Sequence, residues 1–240
     1  MLCLACAIPG WPLCDPCVTS LARAPAQSIR GVSVEAGFRH VGAAVRLVHN
    51  LKYRRSLPAG RLLASAMVSG LPSDATALVP VPRSFARRVT YGIDQALALA
   101  TEMERMTGLP VIRGLGAPLW WRRQAGADRE HRHGIAFSPI EAIPPRSVLV
   151  DDVITTGATV GSALQAMGGR RISVLVATSA GTMDSGTQPF PSLGGAVTQM
   201  RETTDYLSHA ARPHRQSESL ESRRVDDARP IRPIDREETG

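Results

Sequence analysis

The chain has 240 residues, 43% of them apolar, and a net charge of +7. That length accommodates one sizeable α/β domain with appendages. No apolar run approaches a membrane span, and the N-terminus lacks the basic-then-apolar pattern of a signal peptide, so neither is expected. Residues 1–180 hold 20 basic against 11 acidic residues, whereas residues 181–240 hold 8 against 10. The part expected to fold is thus the basic part, as suits a binder of polyanions, either diphosphates or nucleic acid.

All four cysteines fall in the first 17 residues, as Cys3-x-x-Cys6 and Cys14-x-x-Cys17. Two such knuckles can set four thiolates tetrahedrally around one Zn²⁺, which supplies folding energy that so short a segment lacks. A pair of disulfides would need an oxidising compartment that nothing signals. A thioredoxin-like redox pair would follow a strand in a larger fold. Residues 18–32 read as a linker.

Gly31 to Phe38 reads as a strand, and Val41 to Tyr53 carries apolar residues at helical spacing. That helix ends in Lys52-Tyr53-Arg54-Arg55, which either complements the helix dipole or contacts a substrate or partner. Leu57 to Leu71 reads as a second amphipathic helix and Ala77 to Val81 as the next strand. This strand runs into Val79-Pro80-Val81-Pro82-Arg83-Ser84-Phe85-Ala86-Arg87-Arg88. Proline cannot donate to a ladder, so the strand turns here into a basic loop. In open α/β sheets ligands bind at the carboxyl edge, where Arg83, Arg87 and Arg88 could hold a diphosphate. A solvated basic helix start is the plainer alternative. Gln95 to Met106 reads as a helix ending near Gly108, followed by a short strand over Leu109 to Leu115.

Residues 116–137 lack periodicity and are rich in Trp, Arg, Gly and His, which suits a cover over an anionic ligand. Within them Trp120 and Trp121 either pack the loop down or stack on a base. His131 and His133 lie two apart without helical register and make a poor metal pair.

The most informative stretch is Val148-Leu149-Val150-Asp151-Asp152-Val153-Ile154-Thr155-Thr156-Gly157-Ala158-Thr159-Val160. An apolar run, Ser147 to Val150, reads as a buried parallel strand ending in two carboxylates. Val160, Ala163, Leu164 and Met167 then recur at helical spacing. Strand, Thr/Gly loop and helix aim backbone N–H groups at a phosphate. The adjacent acids would repel that phosphate, but they suit vicinal sugar hydroxyls or a metal-bound diphosphate. A P-loop NTPase would require G-x-x-x-x-G-K-[ST], and the only lysine, Lys52, follows Leu51. Arg171 to Ala177 reads as one more strand, completing a right-handed strand–helix–strand unit. Residues 181–240 have the composition of a disordered tail, with one weak helix at Val197 to His209.

The stretch around Asp151 and Asp152 resembles the PRPP-binding motif of type I phosphoribosyltransferases. Together with the double C-x-x-C and the V-P-V-P strand end, it makes residues 1–178 resemble the ComF/GntX family. The resemblance implies an α/β fold: a type I phosphoribosyltransferase-like parallel sheet flanked by helices, with an N-terminal zinc knuckle; the compositionally disordered tail lies outside it. The chain thus reads as a knuckle and linker over residues 1–30, the sheet domain over 31–180 and the tail over 181–240. It also implies a cytoplasmic bacterial protein linked to natural competence and DNA uptake, acting with a DExD/H-box helicase on single-stranded DNA.

By that resemblance Cys3, Cys6, Cys14 and Cys17 hold structural Zn, and Asp151 and Asp152 hold the ribose hydroxyls at the catalytic centre. Thr155, Thr156, Gly157, Ala158 and Thr159 receive the 5′-phosphate of PRPP, which brings Mg with it. The implied activity is phosphoribosyl transfer to a nitrogen acceptor, and the alternative is a non-catalytic adaptor for DNA and a helicase. The chain departs from the family at Tyr91-Gly92-Ile93-Asp94-Gln95, where R-G-x-N-Q is usual. It departs again at Arg132-His133-Gly134-Ile135-Ala136-Phe137, where the R-x-x-N segment is shortened. Both lie where an acceptor or partner would be recognised.

Overall fold

The computed structural model describes residues 1–83, 93–117, 136–168 and 172–181. Arg87, Arg88, the Tyr91-Gly92 pair, residues 118–135 with Trp120, Trp121, His131 and His133, and the tail from residue 182 lie outside the described residues.

Five strands form one sheet in the order β1-β2-β7-β6-β3. β1 (Gln27–Ile29) and β2 (Val32–Arg39) are an antiparallel hairpin, and β2, β7 (Ser173–Ser179), β6 (Val148–Ile154) and β3 (Leu78–Pro80) run parallel. Helices α2 (Gly42–Arg54) and α3 (Leu57–Val68) separate β2 from β3 in sequence. Helix α4 (Gln95–Thr107) follows β3, and α5 (Ala158–Ala166) connects β6 to β7.

Alternation along the strands divides the core between the two faces of the sheet. Val148 and Val150 of β6, with Leu175 and Ala177 of β7, face α2, α3 and α4 through Leu47, Leu51, Leu63, Leu99 and Met103. Leu149, Val174 and Val176 face α5 through Val160, Ala163 and Leu164. The result is a mixed α/β protein whose mostly parallel sheet is flanked by helices and preceded by a cluster of four cysteines.

The helix ends follow their sequence signals. Ser56 caps α3 by accepting from the Ala59 N–H, and Asp94 caps α4 by accepting from the Leu97 N–H. Gly108 ends α4 in the left-handed conformation.

Three segments differ from the sequence reading. β6 does not stop at the acids but continues to Ile154, because Val153 and Ile154 go on pairing with Thr178 and Ser179 of β7. Residues 109–115 form no full strand: one parallel bridge joins Val111 to Leu78, and Pro110 next to it has no N–H to give. Leu115–Gly116 (β4) instead pairs with Ser138–Pro139 (β5) as a separate antiparallel ribbon. The stretch read as a linker contributes the end of α1 (Asp15–Thr19) and β1. Cys3, Cys14 and Cys17 also share the core cluster of α2, so the N-terminal segment packs on the sheet domain.

Gly157 begins α5 at φ 75, and a Cβ there would collide with Ile29 Cδ1 of the hairpin. Gly157→Ala is expected to cost about 1–3 kcal/mol from left-handed strain and overpacking. Urea unfolding measures this, and an unchanged midpoint would contradict the tight seating of that loop.

Candidate functional site

The carboxyl edge of the parallel sheet collects polar side chains from every strand it contains. β6 brings Asp151 and Asp152, β7 brings Thr178 and Ser179, β3 leads into Arg83, and β2 leads into His40. Strand alternation carries Asp151 to the α5 face after Leu149, and Asp152 to the opposite face after Val150.

Both acids fold back on the chain. The Asp152 N–H donates to Asp151 Oδ1 at 2.8 Å, and the Val153 N–H donates to Asp152 Oδ1 at 2.9 Å. Arg83 Nη2 donates to Asp152 Oδ2 at 3.1 Å, with the two side chains only 14% and 13% exposed. Asp152 is thereby the compensated member of the pair. Burial first, and then the neighbouring negative charge of Asp152, push the Asp151 carboxyl well above its ordinary 3.8. The Asp152 N–H and the Arg83 charge oppose this only in part.

The loop beyond them is open. Thr155 and Thr156 are exposed, and the Ala158 N–H is 3.4 Å from Thr156 Oγ1. Gly157, at the N-cap of α5, has no side chain to occupy the first-turn amides. These N–H groups and hydroxyls are the donor set that a phosphate takes.

His40 is a site residue that the sequence reading missed. Its Nδ1 lies 2.8 Å from Thr178 Oγ1, and its backbone N–H donates to the Ser179 carbonyl at 2.7 Å. The Thr178 hydroxyl in turn lies 3.5 Å from the Asp152 carbonyl, to which it donates. Burial first, then the charges of His49 and Lys52, lower the His40 imidazole below 6.5, while Asp152 opposes them. Lys52 and Tyr53 close α2, with Lys52 Nζ 5.3 Å from the Tyr53 ring centroid. The usable signal for His40 was positional: it directly follows β2 at the edge where the acids sit. Gln95, in the first turn of α4, is fully buried with its amide N and O unpartnered among the described residues.

The second feature is the cysteine cluster. The four sulfurs of Cys3, Cys6, Cys14 and Cys17 lie within 4.8 Å of one another, and Cys6 and Cys14 are 3.5 Å apart without a disulfide. A zinc ion about 2.3 Å from each thiolate sets sulfurs roughly 3.8 Å apart, so this donor set can hold a metal such as zinc. The knuckle is shaped by the Cys3 N–H donating to the Ile8 carbonyl at 2.8 Å and the Leu4 N–H to the Pro12 carbonyl at 2.9 Å. The Cys3 and Cys17 thiols are set apart by their surroundings. Burial raises the Cys3 thiol, but N–H groups of Cys14, Ala5 and Cys6 outweigh it and leave it lowered to about 6. Burial pushes Cys17 up to about 12 despite Arg46 beside it.

Of the residues singled out in the sequence, Asp151, Asp152, the Thr155–Thr159 loop and Arg83 share the sheet edge, and the four cysteines converge. Arg87 and Arg88 lie outside the described residues. Among the described residues no helix is long and apolar enough to cross a membrane. Comparison with protein-family models and with curated proteins returns no match.

The raised Asp151 gives a signed expectation. The folded protein holds that proton where the unfolded chain has lost it, so this group's contribution falls as pH rises above 3.8. Asp151→Asn is therefore expected to raise Tm by roughly 2–4 °C near neutral pH, a gain on the order of 1 kcal/mol. The gap should open as pH rises above 3.8 and level off once Asp151 has ionised in the folded protein as well. A variant less stable than the parent at pH 7 in thermal melts would contradict the strain assigned to the acid pair.

Proposed function

We propose that this chain is a type I phosphoribosyltransferase-like protein of the ComF/GntX kind that binds PRPP or a related sugar phosphate with Mg²⁺. The supporting observation is the acid pair at the carboxyl end of a buried parallel strand, followed at once by a Thr/Gly helix start whose N-cap, Gly157, carries no capping side chain. A phosphate and vicinal hydroxyls on one ligand match that spacing of donors and acceptors.

In this reading the hydroxyls and N–H groups of Thr155 to Thr159 take the 5′-phosphate, and the carboxylates of Asp151 and Asp152 accept from the ribose hydroxyls. Arg83, held at Asp152, turns its guanidinium to the diphosphate. Mg²⁺, which suits carboxylate and phosphate oxygens, neutralises diphosphate charge when bound. Transfer breaks the C1–O bond, and the electron pair leaves with diphosphate. The ribose left behind is oxocarbenium-like, and the negative potential of the acid pair favours it. A nitrogen acceptor then forms the C1–N bond and gives up its proton. The cysteine cluster, as a zinc site, stabilises the fold at the N-terminus.

Calorimetric titration of Mg·PRPP into the zinc-loaded protein tests the reading. Saturable binding is expected, weakened by about 10- to 100-fold in the Asp151→Asn/Asp152→Asn variant through loss of charged hydrogen bonds. Absence of binding by the folded parent would overturn it and turn attention to single-stranded DNA and a helicase partner.

A further inference from the structure

The cysteine cluster does not stand apart from the rest of the chain. Three polar contacts tie it to α2 from positions 43, 46 and 50, one stripe of that helix. The Ala43 N–H donates to Ser20 Oγ at 3.0 Å, and the same hydroxyl donates to the Cys17 carbonyl at 2.9 Å. Asn50 Nδ2 donates to the Leu4 carbonyl at 2.7 Å, between Cys3 and Cys6. Between these two, Arg46 Nη2 donates to Cys17 Sγ itself at 3.4 Å. Gly42, at φ 55, lets the helix start against Ser20, where a Cβ would come to 2.9 Å of the Ser20 backbone and side chain.

We propose that Arg46 is part of the metal centre, a positioning residue on α2 whose guanidinium holds the Cys17 thiolate in place and offsets the negative charge of the metal-bound sulfurs. The inference rests on reading the four cysteines as a metal site. Four thiolates around a divalent ion carry a net charge of about −2, which a dry knuckle tolerates poorly. The Ala5 N–H, 3.4 Å from Cys3 Sγ, offsets one corner with a dipole. Arg46 supplies a full positive charge at another corner. Its guanidinium is weakly hydrated and always charged, so the bond to sulfur survives at an exposed position better than one from lysine. Partners of this kind orient ligands and typically change metal affinity by about 10- to 100-fold.

Among the described residues Arg46 forms no carboxylate ion pair that would explain it as a surface salt bridge: the ion pairs there involve Arg61, Arg83 and Arg105. Helix α2 also begins two residues after His40, whose ring is bonded to Thr178 at the sheet edge. Metal held through Arg46 therefore also holds the helix that leads out of the candidate ligand site.

The test is zinc competition against a chromogenic chelator with the full-length protein, comparing the parent with Arg46→Met, Arg46→Gln and Arg46→Lys. Met keeps the apolar stem, Gln keeps an N–H donor without charge, and Lys keeps the charge without the planar fork. The expected result is a zinc affinity lowered by about 10- to 100-fold in Arg46→Met, with partial recovery in the other two. In the cobalt-substituted protein the sulfur-to-metal charge-transfer band should shift in Arg46→Met, which a role confined to packing would not produce. Zinc affinity and cobalt spectrum unchanged in Arg46→Met would overturn the proposal while leaving the metal centre standing. If Arg46→Met does not fold, Arg46→Gln decides in the same way. A folded parent that takes up neither zinc nor cobalt overturns the metal centre and this proposal together.

Discussion

Everything at the carboxyl edge of this sheet answers to one electrostatic conflict, two carboxylates at successive positions of a buried strand. Neighbouring acids in a low-dielectric setting repel, and neither can leave while β6 stays paired to β7 through Ile154. Several features relieve the conflict. Arg83 compensates Asp152, the following N–H groups turn each carboxylate back on the chain, and burial raises the Asp151 carboxyl so that it holds its proton more tightly. The remaining burden on stability supports the proposed ligand site, because buried like charges of this kind are more often retained for function than for folding. A ligand that brings hydroxyls and a divalent cation would relieve what the free protein sustains.

The two ends of the described chain meet around that edge. The cysteine cluster shares a core with α2, and α2 begins beside His40, which is bonded to Thr178 next to the acids. A metal in the knuckle would act on the fold through more than its own short loop. Leu13 and Leu21 of the N-terminal segment lie in the same cluster as Leu47, Leu63 and Met103. Burying them there supplies apolar area that a free-standing knuckle of this size would lack.

Much of this was legible in the residues because periodicity, caps and turn chemistry agree with one another. The apolar spacing over α2, α3 and α4 placed those helices within a residue or three, and Gly108 marked a helix end. The strands β2, β3, β6 and β7 also announced themselves by apolar, β-branched runs. What was not legible depends on pairing. Gln27–Ile29 is short and carries polar residues, and it becomes a strand only because β2 lies beside it. Residues 109–115 look like a strand, but Pro110 interrupts the ladder. His40 and Arg46 gave no motif, since their partners are Thr178 and Cys17, distant in sequence. The acid pair was visible, but not that the Asp151 carboxyl would be raised, which follows from its burial, or that Arg83 would pair with Asp152.

The measurement that bears most directly on the central claim is proton exchange on ligand binding. Mg·PRPP is titrated calorimetrically into the protein over a series of pH values, each in two buffers of different ionisation enthalpy, with the ligand's own proton exchange measured separately. If the acid pair is the sugar-phosphate site, hydroxyls and cation favour the ionised Asp151 carboxylate that burial disfavours, so binding should release protons over the pH range in which the free protein holds that proton. Binding whose heat is the same in both buffers at every pH would contradict the account, because the ligand would then be held without touching the strained carboxylates.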